Sequence, residues 1–194
     1  MYKRQVIGSV GVLAAAAAVA GLGTFGTFTS STTPVDSHID SGTVSIDLAA
    51  PATTIDFPHV DGGWKSGDRS YLALDLVNTG TSDLSSVLLD VTAPTSSLLD
   101  SDTTHGLQLA LDDCSQAWDT TGGTYTCAGT VTHHYAGPIV LSQTLANAAS
   151  LTAGRVDHLL ATATLPETAG NEFMGANSTL SFTFTGTQRN GTDR

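Results

Sequence analysis

Glutamate is nearly absent from this chain, where Glu167 and Glu172 stand against sixteen aspartates. With Thr, Ser and Gly abundant, the residues that build long helices are missing and the composition is that of strands and loops. Cationic side chains are equally scarce. Lys and Arg total 7 against 18 Asp and Glu, and only Lys65, Arg69, Arg155, Arg189 and Arg194 follow the apolar N-terminal stretch. That part carries a formal charge of 5 minus 18, or −13, which excludes nucleic acid and anionic lipid surfaces as partners. No His-Glu-x-x-His occurs, neither glutamate has a histidine within five residues, and the adjacent His133 and His134 point to opposite faces if they lie on a strand. No metal site and no cofactor are therefore expected. A Gly-x-Ser-x-Gly elbow and a Cys-His arrangement are also missing, so no catalytic residue is assigned and the chain does not read as an enzyme.

What is present begins with Val6 to Leu22, an uncharged run preceded by Lys3 and Arg4. This is the n-region and h-region of a secretory signal. At seventeen residues the run lies at the short limit for spanning a bilayer, and the small residues Gly23 to Thr27 break it with no basic cluster beyond. The expected organisation is a signal peptide over residues 1–27, removed by signal peptidase during export, an N-terminal arm over 28–42, a β-sandwich domain over 43–188, and a polar tail over 189–194. After cleavage 194 minus 27, or 167, residues remain, enough for one domain with a core. The product is secreted, to the extracellular matrix or cell surface, with no stable membrane insertion. Cys114 and Cys127, in an exported chain, are expected to form one disulfide, paired rather than reactive.

Period-2 alternation supplies the strands. Val44, Ile46 and Leu48 share one face, as do Leu72, Leu74 and Leu76, then Val87, Leu89 and Val91, then Leu107, Leu109 and Leu111. Asn78-Thr79-Gly80-Thr81 is expected to reverse the chain into a strand-turn-strand unit. Leu159, Ala161, Ala163 and Leu165, then Leu180, Phe182 and Phe184, form two strong late strands. Pro94 to Thr104 reads as loop, and a helical turn is allowed only between Ile139 and Leu151. Ser66-Gly67 before Leu72 and Ala153-Gly154 before Leu159 form an echo that fits similar turns entering two different sheets. About seven alternating strands with almost no helix define an all-β fold, a single antiparallel β-sandwich, jelly-roll-like.

Three shorter patterns carry weaker chemistry. Asp100-Ser101-Asp102-Thr103-Thr104-His105-Gly106 begins like a calcium loop, but Gly comes one place late and Leu111 replaces the closing Glu; a solvated Asp loop is the better reading. Leu165-Pro166-Glu167-Thr168-Ala169 resembles a sortase signal, but Ala169 stands where Gly belongs and no hydrophobic tail follows, so it reads as the turn between the last two strands. Asn177-Ser178-Thr179 and Asn190-Gly191-Thr192 spell glycosylation sequons and no more.

In order along the chain stand Gly23-Thr24-Phe25-Gly26-Thr27-Phe28, Ile39-Asp40-Ser41-Gly42 leading into Thr43 to Leu48, Trp64-Lys65-Ser66-Gly67-Asp68 before a strand closing in Val77-Asn78-Thr79-Gly80, and Leu180 to Gln188. This ordered set resembles the TasA/camelysin family of exported proteins whose signal is read by a SipW-type signal peptidase. The resemblance implies a jelly-roll sandwich and biofilm matrix fibres built by donor-strand exchange, in which the mature arm of one copy inserts into the next. Carried onto this chain, the donor lies within Phe28 to Asp40, with Phe28, Val35 and then His38 or Ile39 expected as its pocket-filling side chains. Pro34 lacks a ladder donor, so an inserted strand bends there or runs at an edge. The implied partners are further copies of the chain or a sister subunit. Two rival expectations remain. One is a surface metallo-endopeptidase, from the camelysin branch of the resemblance, and the other is a monomeric adhesin or glycan-binding module using an exposed Trp64 and Trp118.

Overall fold

The structure, a computed structural model, describes residues 29–31, 44–48 and 63–190. The arm positions Phe28, Val35, His38 and Ile39 lie outside the described residues, as does the apolar run Val6 to Leu22. Among the described residues, no helix is long and apolar enough to cross a membrane.

Among the described residues, nine strands form two antiparallel sheets. They are β1 (Thr29–Ser31), β2 (Ile46–Leu48), β3 (Arg69–Asn78), β4 (Leu84–Thr95), β5 (Gln108–Cys114), β6 (Val131–Pro138), β7 (Leu141–Thr144), β8 (Val156–Thr164) and β9 (Thr179–Gln188). One sheet has the order β1-β9-β4-β7 and the other β2-β3-β8-β5-β6. The all-β sandwich expected from the alternation is what the chain adopts. Inward residues of both sheets make one core, with Leu74, Leu76, Leu109, Leu111, Leu159, Ala161 and Ala163 from the five-stranded sheet meeting Val87, Leu89, Val91, Phe182 and Phe184 from the other. Side chains at alternate positions bury while their neighbours face out, as the two-residue pleat requires.

Several expectations are corrected. Asn78 to Thr81 does not make a hairpin, because β3 and β4 belong to different sheets. The turn instead lifts the chain across the core, organised by the fully buried Asn78. Its Nδ2 donates to Ser82 O at 3.2 Å and Ser150 O at 3.0 Å, and its Oδ1 accepts from Gly80 N at 3.0 Å. The echoed turns at Gly67 and Gly154 both use positive φ, +87° and +75°, yet they serve β3 and β8, which are neighbours in one sheet. Pro94 to Thr104 contains a short helix, α1 (Leu98–Ser101), with a capping box in which Ser97 Oγ accepts from Leu99 N and Asp100 Oδ1 accepts from Ser97 N. Helical turns of the 3-10 type also occur at Thr121–Gly123 and Asn171–Phe173, besides the one at Ala149–Leu151.

The N-terminal segments close one side of the sandwich. β1 lies outside β9 through the pairs Thr29↔Thr187, Ser30↔Gly186 and Ser31↔Thr185. β2 lies outside β3 through Ile46↔Asn78, Asp47↔Val77 and Leu48↔Leu76. Ile46 is fully buried and sits over Gly186 of β9, so one side chain bolts the two edges together.

Candidate functional site

Three places stand out: the edge of β9, the loop closed by the cysteines, and a buried polar cluster where β5, β6 and β8 meet.

At the edge, β1 accounts for three of the ten residues of β9. Pairing there is through main-chain groups, which carry no side-chain specificity and are equally open to any extended segment. β9 itself contains no charged residue over Thr179–Gln188, so nothing in it repels an added strand.

The expected disulfide is present. Cys114, the last residue of β5, bonds Cys127 with a Cα–Cα distance of 5.8 Å. The loop between them folds back over the outer face of the five-stranded sheet. Trp118 Nε1 donates to the His158 carbonyl at 2.7 Å, Asp119 and Thr126 exchange backbone hydrogen bonds, and Tyr125 stacks on Tyr71 with ring centroids 5.4 Å apart. This covering explains why Leu160 is buried although its register places it on the outward face, opposite Asp112. Trp118 is therefore half-buried as the underside of a flap, and Trp64 is half-buried against the core. The freely exposed tryptophan pair expected of a glycan platform is not there.

The polar cluster comes from a local irregularity. Leu111 pairs Tyr135 while Asp112 pairs His133, so His134 is the extra residue of a β-bulge. His133 remains outward, with Nδ1 at 2.6 Å from Asp112 Oδ1. His134 Nε2, Asp113 Oδ1 and Ser150 Oγ are buried without a hydrogen-bond partner among the described residues. Asp157, fully buried opposite Leu76, accepts from the backbone N–H of Ala149 and, at 3.0 Å, of Ser150. Burial, and then the charge of Asp157, push the Asp113 carboxyl up to about 6, against an opposing pull from the backbone N–H and the charge of His158. Burial lowers the pKa of His134 despite the nearby Asp157 and Asp112. Sequence reading missed this cluster, since a bulge leaves no trace in periodicity. Its one signal was the pair of adjacent aspartates, Asp112-Asp113, interrupting an apolar alternation.

The remaining motifs are occupied by structural roles. Burial works against ionisation of Asp100, but hydrogen bonds from Ser178, Ser97 and Ser96 outweigh it and hold the carboxyl below the usual range. Asp102 Oδ1 accepts from the backbone N–H of Thr104 and His105, both at 2.9 Å. The carboxylates of the calcium-like stretch thus serve a helix cap and a turn, and among the described residues no group of three or more His, Cys, Asp or Glu could hold a metal ion. Leu165 of the sortase-like stretch is buried in the core, and its backbone bonds Gly67 and Asp68. Ser66 Oγ donates to the Pro166 and Glu167 carbonyls, which fixes the stretch as a turn between β8 and β9. Asn177 is exposed, and Ser178 of the same sequon is tied to Asp100 and Ser97.

No family model matches the chain, and no curated protein matches it.

Proposed function

We propose that this domain is the structural subunit of a secreted extracellular matrix or biofilm fibre, assembling by exchange of its N-terminal arm with a neighbouring copy or a sister subunit. The observation that carries this reading is β1, an N-terminal segment that adds to the edge of β9 through three residue pairs. The same pairs offered by a neighbour's arm preserve every main-chain hydrogen bond, so exchange trades like for like, as in other swapped assemblies. A pairing this short gives the closed monomer little advantage over the exchanged form.

Two further features support it. Set β2 aside, and the strand orders β1-β9-β4-β7 and β3-β8-β5-β6 are those a jelly roll would have, which supports the fold that the resemblance to the TasA/camelysin family implies. The Cys114–Cys127 disulfide suits an oxidising, extracellular compartment. In this reading the protein acts through assembly rather than catalysis.

Mature protein starting near Phe28 is expected to form fibres under the electron microscope, while a chain lacking Phe28 to Asp40 stays monomeric on size exclusion with an unchanged far-UV spectrum. Fibres from the shortened chain would remove the arm from the account.

A further inference from the structure

The outer face of the five-stranded sheet aligns three side chains in one cross-strand row. β3, β8 and β5 are adjacent, with Asp75 opposite His158 and His158 opposite Cys114. Directly opposed residues of antiparallel strands hold their Cβ atoms about 4.5–5.5 Å apart on the same face. His158 is oriented from one side by Asp75, whose Oδ1 lies 2.6 Å from Nδ1. Carboxylate, imidazole and sulfur thus stand in line, the order in which a carboxylate-held imidazolium stabilises a thiolate. Here the sulfur is locked in the bond to Cys127.

We propose that Cys114–Cys127 is a thiol–disulfide exchange site, in which the thiolate of another molecule attacks Cys127 and Cys114 departs as a thiolate stabilised by His158 and Asp75. The choice of sulfur follows from burial, since Cys114 is 1% exposed whereas Cys127 is half-buried in the loop. The incoming thiolate forms a bond to Cys127 Sγ, the Cys114–Cys127 bond breaks, and its electron pair passes to Cys114 Sγ. A mixed disulfide stays on Cys127, and no outside oxidant is used. Return attack by Cys114 restores the bond and expels the incoming thiol. A second thiol instead takes the adduct off as its own disulfide and leaves both cysteines reduced. A lower leaving-group pKa speeds such exchange, which is the part His158 plays as a positioning residue. Exchange also removes one of the flap's anchors, leaving Trp118 and the Tyr71–Tyr125 stack to hold the loop over Leu160.

The charged group facing His158 on the outer face is Asp75 of β3, while Asp113 of β5 and Asp157 of its own strand lie on the core face of the same sheet. Val131, which closes the row on β6, and Trp118 of the flap bring none. Only a protonated imidazole offers a departing thiolate an opposite charge, so a pH profile of the exchange rate separates this role from a merely structural one.

Glutathione is the probe, with mixed-disulfide formation followed by mass spectrometry after acid quench between pH 5.5 and 8.5. Rates are divided by the fraction of glutathione present as thiolate. Per thiolate, the wild-type protein is expected to react about threefold or more faster than His158→Gln at pH 6, with the advantage falling toward pH 8.5. The variant's own per-thiolate rate should be flat with pH. His158→Gln keeps the main-chain carbonyl that Trp118 uses, so the flap's hydrogen bond is retained. Should it fail to fold, Asp75→Asn serves instead and is expected to react more slowly than the wild type, by a smaller factor. Equal rates and equal pH profiles for wild type and the folded variant overturn the proposal, as does a wild-type disulfide that does not react with glutathione at all.

Discussion

Gly186→Val lowers the stability of the domain by about 3 kcal/mol, the upper range for overfilling a packed core. Gly186 has an ordinary strand backbone and is required for space alone. A Cβ built there lies 2.2 Å from Ile46 Cδ1, 2.9 Å from Ile46 Cγ1 and 3.1 Å from Leu84 Cδ1. Ile46 is fully exposed to the core and to nothing else, with 0% accessibility, so it cannot swing into solvent without leaving β9. Displacing it also strains the three residue pairs that hold β2 to β3. The clash is specific and can be tested as such. In Ile46→Ala the space over Gly186 opens, so adding Gly186→Val to Ile46→Ala costs far less than adding it to the wild type, a coupling readable from urea melts of the four proteins. A cost for Gly186→Val that is the same in both backgrounds would show that Ile46 does not seat on that glycine.

Asp113→Asn stabilises the protein at pH 7.5 by about 1–2 kcal/mol and does almost nothing at pH 4. The Asp113 carboxyl is raised to about 6 in the folded state from an ordinary 3.8. A raised carboxyl contributes stability that is fully present below pH 3.8 and is lost as pH climbs through about 6, because the folded state then holds a charge beside the buried Asp157. A shift of about two units corresponds to about 3 kcal/mol, and partial exposure to solvent reduces that to the smaller figure. His134 acts in the opposite sense. Its lowered pKa means that stability present above pH 6.5 is lost as pH falls. Wild type and Asp113→Asn share the His134 contribution, so the difference between their denaturation curves at each pH isolates Asp113. A difference that does not change with pH would contradict the burial and charge assigned to this carboxylate.

Both effects arise where reading the sequence stopped short, and for related reasons. Alternation at Leu72-Leu74-Leu76, Val87-Leu89-Val91 and Leu159-Ala161-Ala163 reveals which face of a strand is buried, and those faces form the core. It does not reveal which sheet receives the strand. The turn at Asn78 therefore looked like a hairpin, although its buried amide directs the chain across the sandwich. β6 escaped notice because a sheet-edge strand has little to bury and its bulge at His134 breaks the period. α1 escaped notice because Ser97 and Asp100, the residues of its capping box, are the same types that mark loops. The disulfide was legible from the number of cysteines and the expectation of export, but its line with His158 and Asp75 depends on strand order and register. Gly186 reads in the sequence as a strand weakness, and only the meeting of β2 with β9 explains it.

Fibre assembly as proposed requires the arm of one copy to pair with β9 of another, and cross-linking across that pair tests it most directly. Thr29 and Thr187 are register partners. Mature Thr29→Cys protein is mixed with mature Thr187→Cys protein, incubated until fibres form, oxidised, and digested for mass spectrometry. A cross-link joining position 29 of one chain to position 187 of the other is the predicted result. Fibres that form without that cross-link, while a chain carrying both substitutions closes it internally, would show that β1 never leaves its own β9.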